Sequence, residues 1–478
     1  MKTVFFGVGR FFENRKNIIE QYGESVEKVA YIDNNELLWS TQIDGINVMA
    51  PSDVIHVCYD GIVLMSAKTD EMKSQLLSYG ISEKVIWSWY DFCVHANKAG
   101  EMQFFGDVCF KEENKKALVI GINLHYDGST MALFHAADVL IRKKYDVVIT
   151  APGGNPKFIQ EMKKRGYCIV LCPCLPYIHM KERKWIEQFD FFLINTFPML
   201  AAVTELSKVG TVIWWIHECR DSYEWVLNDF EKYALQNEFA NAYICAVCDF
   251  ARKNFNTYYP ERVDEILPYS ISDSYDPEKY CNNRTGKVIF AVIGALCPRK
   301  AQKDFVEAIK LLNEKERTKA EFWLIGGLRD EQYTEEVRQM IQGNSDIKIC
   351  GEMTREEIEL AYEKIDVVVC CSQEEMLPVV VTEGLMFRKV CIMADNSGMK
   401  QYIEHKKNGF IYETGNINAL SQNIEYAIDN LDNLDDLRSE ARKTYETYFK
   451  MDIFEKRLEQ VVENALERFG ALKEKEIQ

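Results

Sequence analysis

Short apolar runs that end in glycine, a small residue or an acid recur along this chain, each followed by a stretch of helical periodicity. KTVFFGVG precedes NRKNIIEQYG, KALVIGINLHYDGST precedes MALFHAADVLIRKKY, and KVIFAVIG precedes LCPRKAQKDFVEAI. Runs without polar alternation suit strands buried on both faces, and their alternation with helices predicts a parallel α/β architecture. A chain of 478 residues is long enough for two or three such units. Residues 1–95 read as a small Rossmann-like α/β domain, 96–116 as a polar linker, and 117–275 and 283–445 as two larger doubly wound domains. Residues 446–478 read as a C-terminal helix that packs back on the middle domain. A cleft between the two large domains is the expected ligand site.

The net charge of −17 argues against a nucleic-acid binder, which carries a basic stripe. The 15 cysteines lie inside apolar runs such as YICAVC and VVVCCS, as reduced buried thiols do. Cys245-x-x-Cys248 lacks a partner pair at zinc spacing, so no metal is expected. MKTVFFGVGRFF has neither the length nor the cleavage site of a signal peptide, and no run reaches the ~18 apolar residues of a membrane span. The expected location is cytoplasmic, at the inner face of the membrane if the protein touches it. MKERKWIEQF (180–189) offers either a basic-aromatic membrane contact or an ordinary solvated helix. In the first domain, Gly7-Val8-Gly9 and Asp33 read either as a phosphate and ribose site or as a structural tight turn. Phe12 stands where a full dinucleotide fingerprint has its third glycine.

Residues 370–387, CCSQEEMLPVVVTEGLMF, place Glu375 and Glu383 eight positions apart in an otherwise apolar run. Carboxylates are rarely buried without partners, so the pair needs a reason. The run follows the strand DVVVCCS, and Pro378 suits the first turn of a helix. The free N–H groups and positive dipole end of such a helix favour phosphate. Eight residues at helical rise span ~12 Å, about the reach from a hexose past a diphosphate to a ribose. A solvated first turn with dipole-favoured glutamates is the plain alternative. Arg299 and Lys300, in the loop after KVIFAVIG, supply cations for a diphosphate. Gly398 opens a turn that admits close backbone approach. His217 and Glu218 end the apolar strand TVIWWI, where a histidine is an acid/base or hydroxyl-binding candidate.

Residues 117–470 resemble the retaining glycosyltransferases of family 4, which have the two-domain GT-B fold. The resemblance is carried by the E-x7-E pair Glu375/Glu383, the PRKAQ loop at 298–302, WWIHE, SGMKQYI and NGFIYE. It implies that Lys300 and Arg299 contact a donor diphosphate at the start of the Pro378 helix, beside Gly398. Glu383 would hold the ribose, Glu375 would sit by the transferred sugar, and His217 by the donor–acceptor junction. Gly128 and Ser129 would form the first loop of the acceptor-side domain, near the phosphates. The implied activity is metal-independent transfer, with retention, from a nucleotide sugar to a glycan or lipid-linked oligosaccharide for surface polysaccharide. The donor is a substrate, and no cofactor is expected. The chain departs from the family pattern at Ala295, Ala301 and Gln401, where arginine, glycine and glutamate are common. Two other readings are a non-catalytic GT-B partner of a transferase and another GT-B enzyme, such as a sugar-nucleotide epimerase or phosphorylase.

Overall fold

A computed structural model describes residues 1–13, 15–66, 69–97, 102–107, 110–172, 175, 184–229, 239–278, 286–328 and 330–477. Residues 180–183 of the basic-aromatic stretch thus lie outside the described residues. The chain divides into two compact units, Met1–Ile244 with Val461–Gln478, and Cys245–Gln460. The division falls within a strand, earlier than the break near residue 275 read from the sequence, and again within the last helix, Met451–Ile477.

The first unit holds two sheets. Six strands, β1 (Lys2–Phe6), β2 (Glu27–Ile32), β3 (Gln42–Ile43), β4 (Ile46–Met49), β5 (Gly61–Leu64) and β6 (Ile86–Trp87), run in the order β3-β4-β2-β1-β5-β6. All neighbours are parallel except β3 and β4. Val4, Phe6, Ile32, Ile62 and Leu64 fill the core. Asp33, at the end of β2, accepts from the N–H of Val8 at 2.8 Å and from that of Asn35 at 2.8 Å. The acid is spent on fixing the Gly7 turn, which favours the structural reading over a ribose site.

The second sheet contains β7 (Gln103–Phe105), β8 (Lys116–Ile120), β9 (Asp146–Ala151), β10 (Ile169–Leu171), β11 (Phe191–Asn195) and β12 (Thr211–Ile216), in the order β12-β11-β8-β9-β10-β7. β7 lies within the stretch read as a linker and pairs antiparallel with β10 at the edge. The order reverses between β8 and β11, so the loops after these two strands diverge and leave a crevice at their carboxyl ends.

In the second unit β13 (Tyr243–Ala246), which the division cuts, pairs in parallel with β14 (Glu265–Ile266). Six parallel strands follow: β15 (Val288–Ile293), β16 (Ala320–Ile325), β17 (Ile347–Gly351), β18 (Val367–Cys370), β19 (Val390–Ala394) and β20 (Phe410–Tyr412). Their order, β17-β16-β15-β18-β19-β20, reverses between β15 and β18. Phe290, Phe322, Val367, Val369 and Ile392 meet Phe305, Leu420 and Ile424 from the helices in one core. The helix Val379–Met386 packs against β18, β19 and the helix Asp435–Tyr448. That triple contact explains why VVVTEGLM is apolar nearly all round and helical despite its β-branched run, since burial outweighs propensity. A Cβ at Gly384 would lie 2.7 Å from Cys391 Sγ, so only glycine lets this helix approach β19 so closely.

Candidate functional site

The loops after the two strands at the reversal in the second unit carry Arg299, Lys300, Glu375 and Pro378 of the residues singled out from sequence. Gly294–Ala301 follows β15 and Cys371–Pro378 follows β18, and the loops are tied together. The N–H of Gln373 donates to Arg299 O at 2.8 Å, and Arg299 Nη1 donates to Glu374 O at 3.0 Å. Three donors converge on Glu375 Oε1: Arg299 Nη1 at 2.6 Å, Ser372 Oγ at 3.3 Å, and Lys300 Nζ. Glu375 is 9% exposed. Burial pushes its carboxyl up, but Lys300 and Arg299 outweigh this and hold it below its ordinary value. Burial likewise pulls Lys300 down, and Glu375 more than restores it. Two cations at contact distance gain about 4 kcal/mol each at an effective dielectric of 20, set against several kcal/mol of desolvation for the carboxylate and again for Lys300. The knot carries one net positive charge. Ala301, at the end of this loop, is held left-handed at φ 51°, a conformation that favours the glycine common in the family.

Pro378 is the N-cap of the helix and Val379 its first residue, one position later than the sequence suggested. Glu383 is 3% exposed. Its Oε1 pairs with Arg355 Nη1, and its Oε2 accepts from Tyr362 Oη at 2.9 Å. Neither glutamate belongs to a solvated first turn, so the plain alternative fails. Gly398 is close-packed for a different reason than expected. Its N–H donates to Glu375 O at 3.0 Å, and a Cβ there would lie 2.3 Å from both Met376 O and Cys248 Sγ. The protein's own backbone, rather than an open ligand surface, needs its small size. Gln401, where the family often has glutamate, caps the helix Asp249–Tyr258 by accepting from the N–H of Asp249 at 3.1 Å.

In the first unit Gly128 and Ser129 open the helix Gly128–Arg142 at the β8/β11 reversal, with Asp127 as N-cap. Asn195, the last residue of β11, donates from Nδ2 to Ser129 O at 2.8 Å. The next residue, Thr196, sits at φ 80°, ψ 148°, a region other residues rarely enter than glycine. His217 follows β12 with its ring 4.5 Å from that of Trp215 and its Nε2 enclosed. Burial drops its pKa to about 3, so the imidazole is neutral at pH 7. Glu218 accepts from the N–H of His217 at 2.9 Å, and burial raises its pKa to about 7.

Glu218 therefore makes stability fall with pH. Its folded value lies above the ordinary 4.5, so its contribution is complete below about 4.5 and lost as pH rises through about 7. Glu218→Gln is expected to stabilise the fold at pH 8 by up to about 3 kcal/mol, with the gain gone by pH 4.5. His217 acts oppositely, losing its contribution as pH falls from 6.5 towards about 3, but it is common to both proteins. Thermal unfolding of both at a series of pH values checks this, and equal melting temperatures at pH 8 refute it.

Among the described residues no group of three or more His, Cys, Asp or Glu is placed to hold a metal ion, and no helix is long and apolar enough to cross a membrane. None of the described cysteines forms a disulfide. Cys248 caps the helix Asp249–Tyr258 through Sγ, and burial raises its pKa to about 11.

Residues 278–444 match the glycosyl transferases group 1 family. Residues 1–87 match the family described as C2185-like, N-terminal. An uncharacterized glycosyltransferase of Haemophilus influenzae is 35% identical over 75 residues, which are 16% of this chain and 21% of that protein. The chain thus spans about a fifth of the length of this curated relative. Among solved structures, the Anabaena protein HepE in complex with UDP and glucose superposes with a TM-score of 0.63 at 15% identity, covering 73% of this chain and 100% of that one. A Rickettsia africae glycosyltransferase superposes at 0.62 and 17% identity, covering 74% of this chain and 99% of that one. The Rossmann-like parallel sheets match those of GT-B glycosyltransferase structures. All three segments meeting at Glu375 and Glu383, namely the 294–301 loop, the 371–386 stretch and Arg355, fall inside the matched group 1 region.

Arg355, Tyr362, Ser372, Asn195 and Thr196 were not singled out from the sequence. The T-x-x-E signature at Thr354–Glu357 marks a helix start, and a capping box forms there. Nothing local pairs Arg355 with a glutamate 28 residues on.

Proposed function

We propose that this protein is a retaining, metal-independent glycosyltransferase that moves a sugar from a nucleotide-sugar donor to a glycan or lipid-linked oligosaccharide in surface polysaccharide biosynthesis. The observation that carries the reading is the pairing of Lys300 and Arg299 with the buried Glu375 at the sheet reversal, with Glu383 buried one turn into the helix that follows. Loops at such a reversal are where open α/β sheets bind ligands. The match of residues 278–444 to glycosyl transferases group 1 supports it, as do the UDP and UDP-glucose complexes of the HepE structures that share the fold.

In this reading the diphosphate lies over the start of the Pro378 helix, where Lys300, Arg299 and the first helical N–H groups take its charge. These groups stabilise the leaving diphosphate as the glycosidic bond breaks. The acceptor hydroxyl attacks on the same face, and a diphosphate oxygen takes its proton. Glu375 binds sugar hydroxyls and is not a covalent nucleophile, because a carboxylate whose Oε1 takes three donors and whose pKa is held low attacks weakly. His217, neutral and beside the junction, contributes a hydrogen bond to a hydroxyl.

The test is a panel of UDP-, GDP-, ADP- and dTDP-sugars screened by thermal shift, followed by an assay for acceptor-dependent sugar release. Binding to the folded state raises the melting point, by about 2.7 kcal/mol of stabilisation at a hundredfold excess over Kd. One nucleotide class is expected to stabilise the protein and to release its sugar only with acceptor present. Stabilisation without release identifies a non-catalytic binder, and acceptor-independent conversion identifies an epimerase.

A further inference from the structure

We infer that Arg355 is the positioning residue of the nucleoside half of the donor site: it holds the Glu383 carboxylate aligned for a ribose 2′,3′-diol, and so makes the site select ribonucleotides over 2′-deoxyribonucleotides. The inference rests on the proposed reading in which Glu383 faces the ribose. It goes beyond that reading by assigning the selectivity to a residue on a different helix.

Glu383 is almost wholly buried, and a buried carboxylate needs partners for its oxygens. Lys300 and Arg299 are committed to Glu375, and Arg355 is the cation on Glu383. The helix Arg355–Lys364 grips Glu383 with two side chains from one face, Arg355 on Oε1 and Tyr362 on Oε2. Arg355 is itself held from behind. Its Nε donates to Glu359 Oε1 at 3.0 Å, and the capping box of Thr354 and Glu357 fixes the turn from which it projects. The guanidinium remains half exposed, with 52% of the side chain accessible, so it stands at the rim while the carboxylate lies beneath.

The selectivity follows from counting acceptors. An ionised carboxylate offers about four lone-pair positions. Arg355 and Tyr362 take one on each oxygen and leave one on each, the two acceptors that a vicinal diol requires. A 2′-deoxyribose brings one hydroxyl and leaves a buried acceptor unpaired, which is how sites built for a hydroxyl reject analogues lacking it.

The experiment is calorimetric titration of wild type, Arg355→Gln and Arg355→Lys with UDP, GDP and ADP and their 2′-deoxy counterparts, between pH 6 and 8.5. Wild type is expected to bind one ribonucleoside diphosphate at least about tenfold more tightly than its 2′-deoxy form. Arg355→Gln is expected to lose about tenfold in ribonucleotide affinity at pH 6.5 and to keep the 2′-deoxy affinity within about threefold. If Arg355→Gln does not fold, Arg355→Lys, which keeps the charge but not the fork, is read the same way and is expected to retain intermediate selectivity. Equal losses for both sugars mean a purely structural arginine and overturn the inference alone. Equal binding of ribo and deoxy forms by wild type takes Glu383 off the ribose, and both the reading and the inference go with it.

Discussion

Lys300→Ala is expected to abolish sugar transfer in a protein that still folds. Lys300 is the most enclosed cation of the knot, with an 18% exposed side chain against 41% for Arg299. A fixed, desolvated charge acts on a departing diphosphate without having to reorganise as the bond breaks, and loss of one such group costs about 10²–10³ in kcat. Arg299 and Ser372 remain on Glu375 Oε1, so the carboxylate is not stranded and unfolding is not the cause. Glu375→Ala is expected to be equally inactive for the opposite reason, since it leaves two cations facing each other and no acceptor for the sugar. Acceptor-dependent sugar release, measured alongside a thermal melt, decides the matter. Turnover close to wild type in either folded variant removes both assignments.

Glu383→Ala is expected to cost about 2–4 kcal/mol of stability as well as nucleotide affinity. Breaking a buried ion pair from one side costs about 3–5 kcal/mol when the partner charge is left buried. Here Arg355 is half exposed and rehydrates, which lowers the figure, while the buried Tyr362 hydroxyl loses its acceptor at 2.9 Å and keeps only Val380 O at 3.3 Å. With melting shifts of about 2–4 °C per kcal/mol for a unit of this size, the melting temperature should fall by roughly 5–12 °C. Glu383→Gln keeps an oxygen for Tyr362 and an isosteric side chain, and should lose less. A melt of Glu383→Ala within about 1 °C of wild type would mean that the Arg355–Glu383–Tyr362 cluster contributes no net stability.

The strands were legible because burial on both faces writes itself into consecutive residues, as in VVVC of β18 and VCIMA of β19. β7 was not. It is three residues long, it pairs at a sheet edge, and its sequence QFF lies in a polar, aperiodic stretch. Gly398 was recognised as a point of close approach, but which atoms approach it was not written nearby. Cys248 lies 150 positions earlier in the chain.

The candidate site divides the same way. The sequence alone determined that two carboxylates eight residues apart bracket the start of an apolar helix headed by Pro378, because a helix start and its burial are local properties of a dozen residues. Which cation neutralises which carboxylate was decided only by the tertiary structure. Lys300 reaches Glu375 because β15 and β18 are neighbours, and Arg355 reaches Glu383 because the helix after β17 docks against the helix after β18. Strand order is a collective outcome of packing the whole sheet, and charges brought together by it carry no signature at their own positions in the chain.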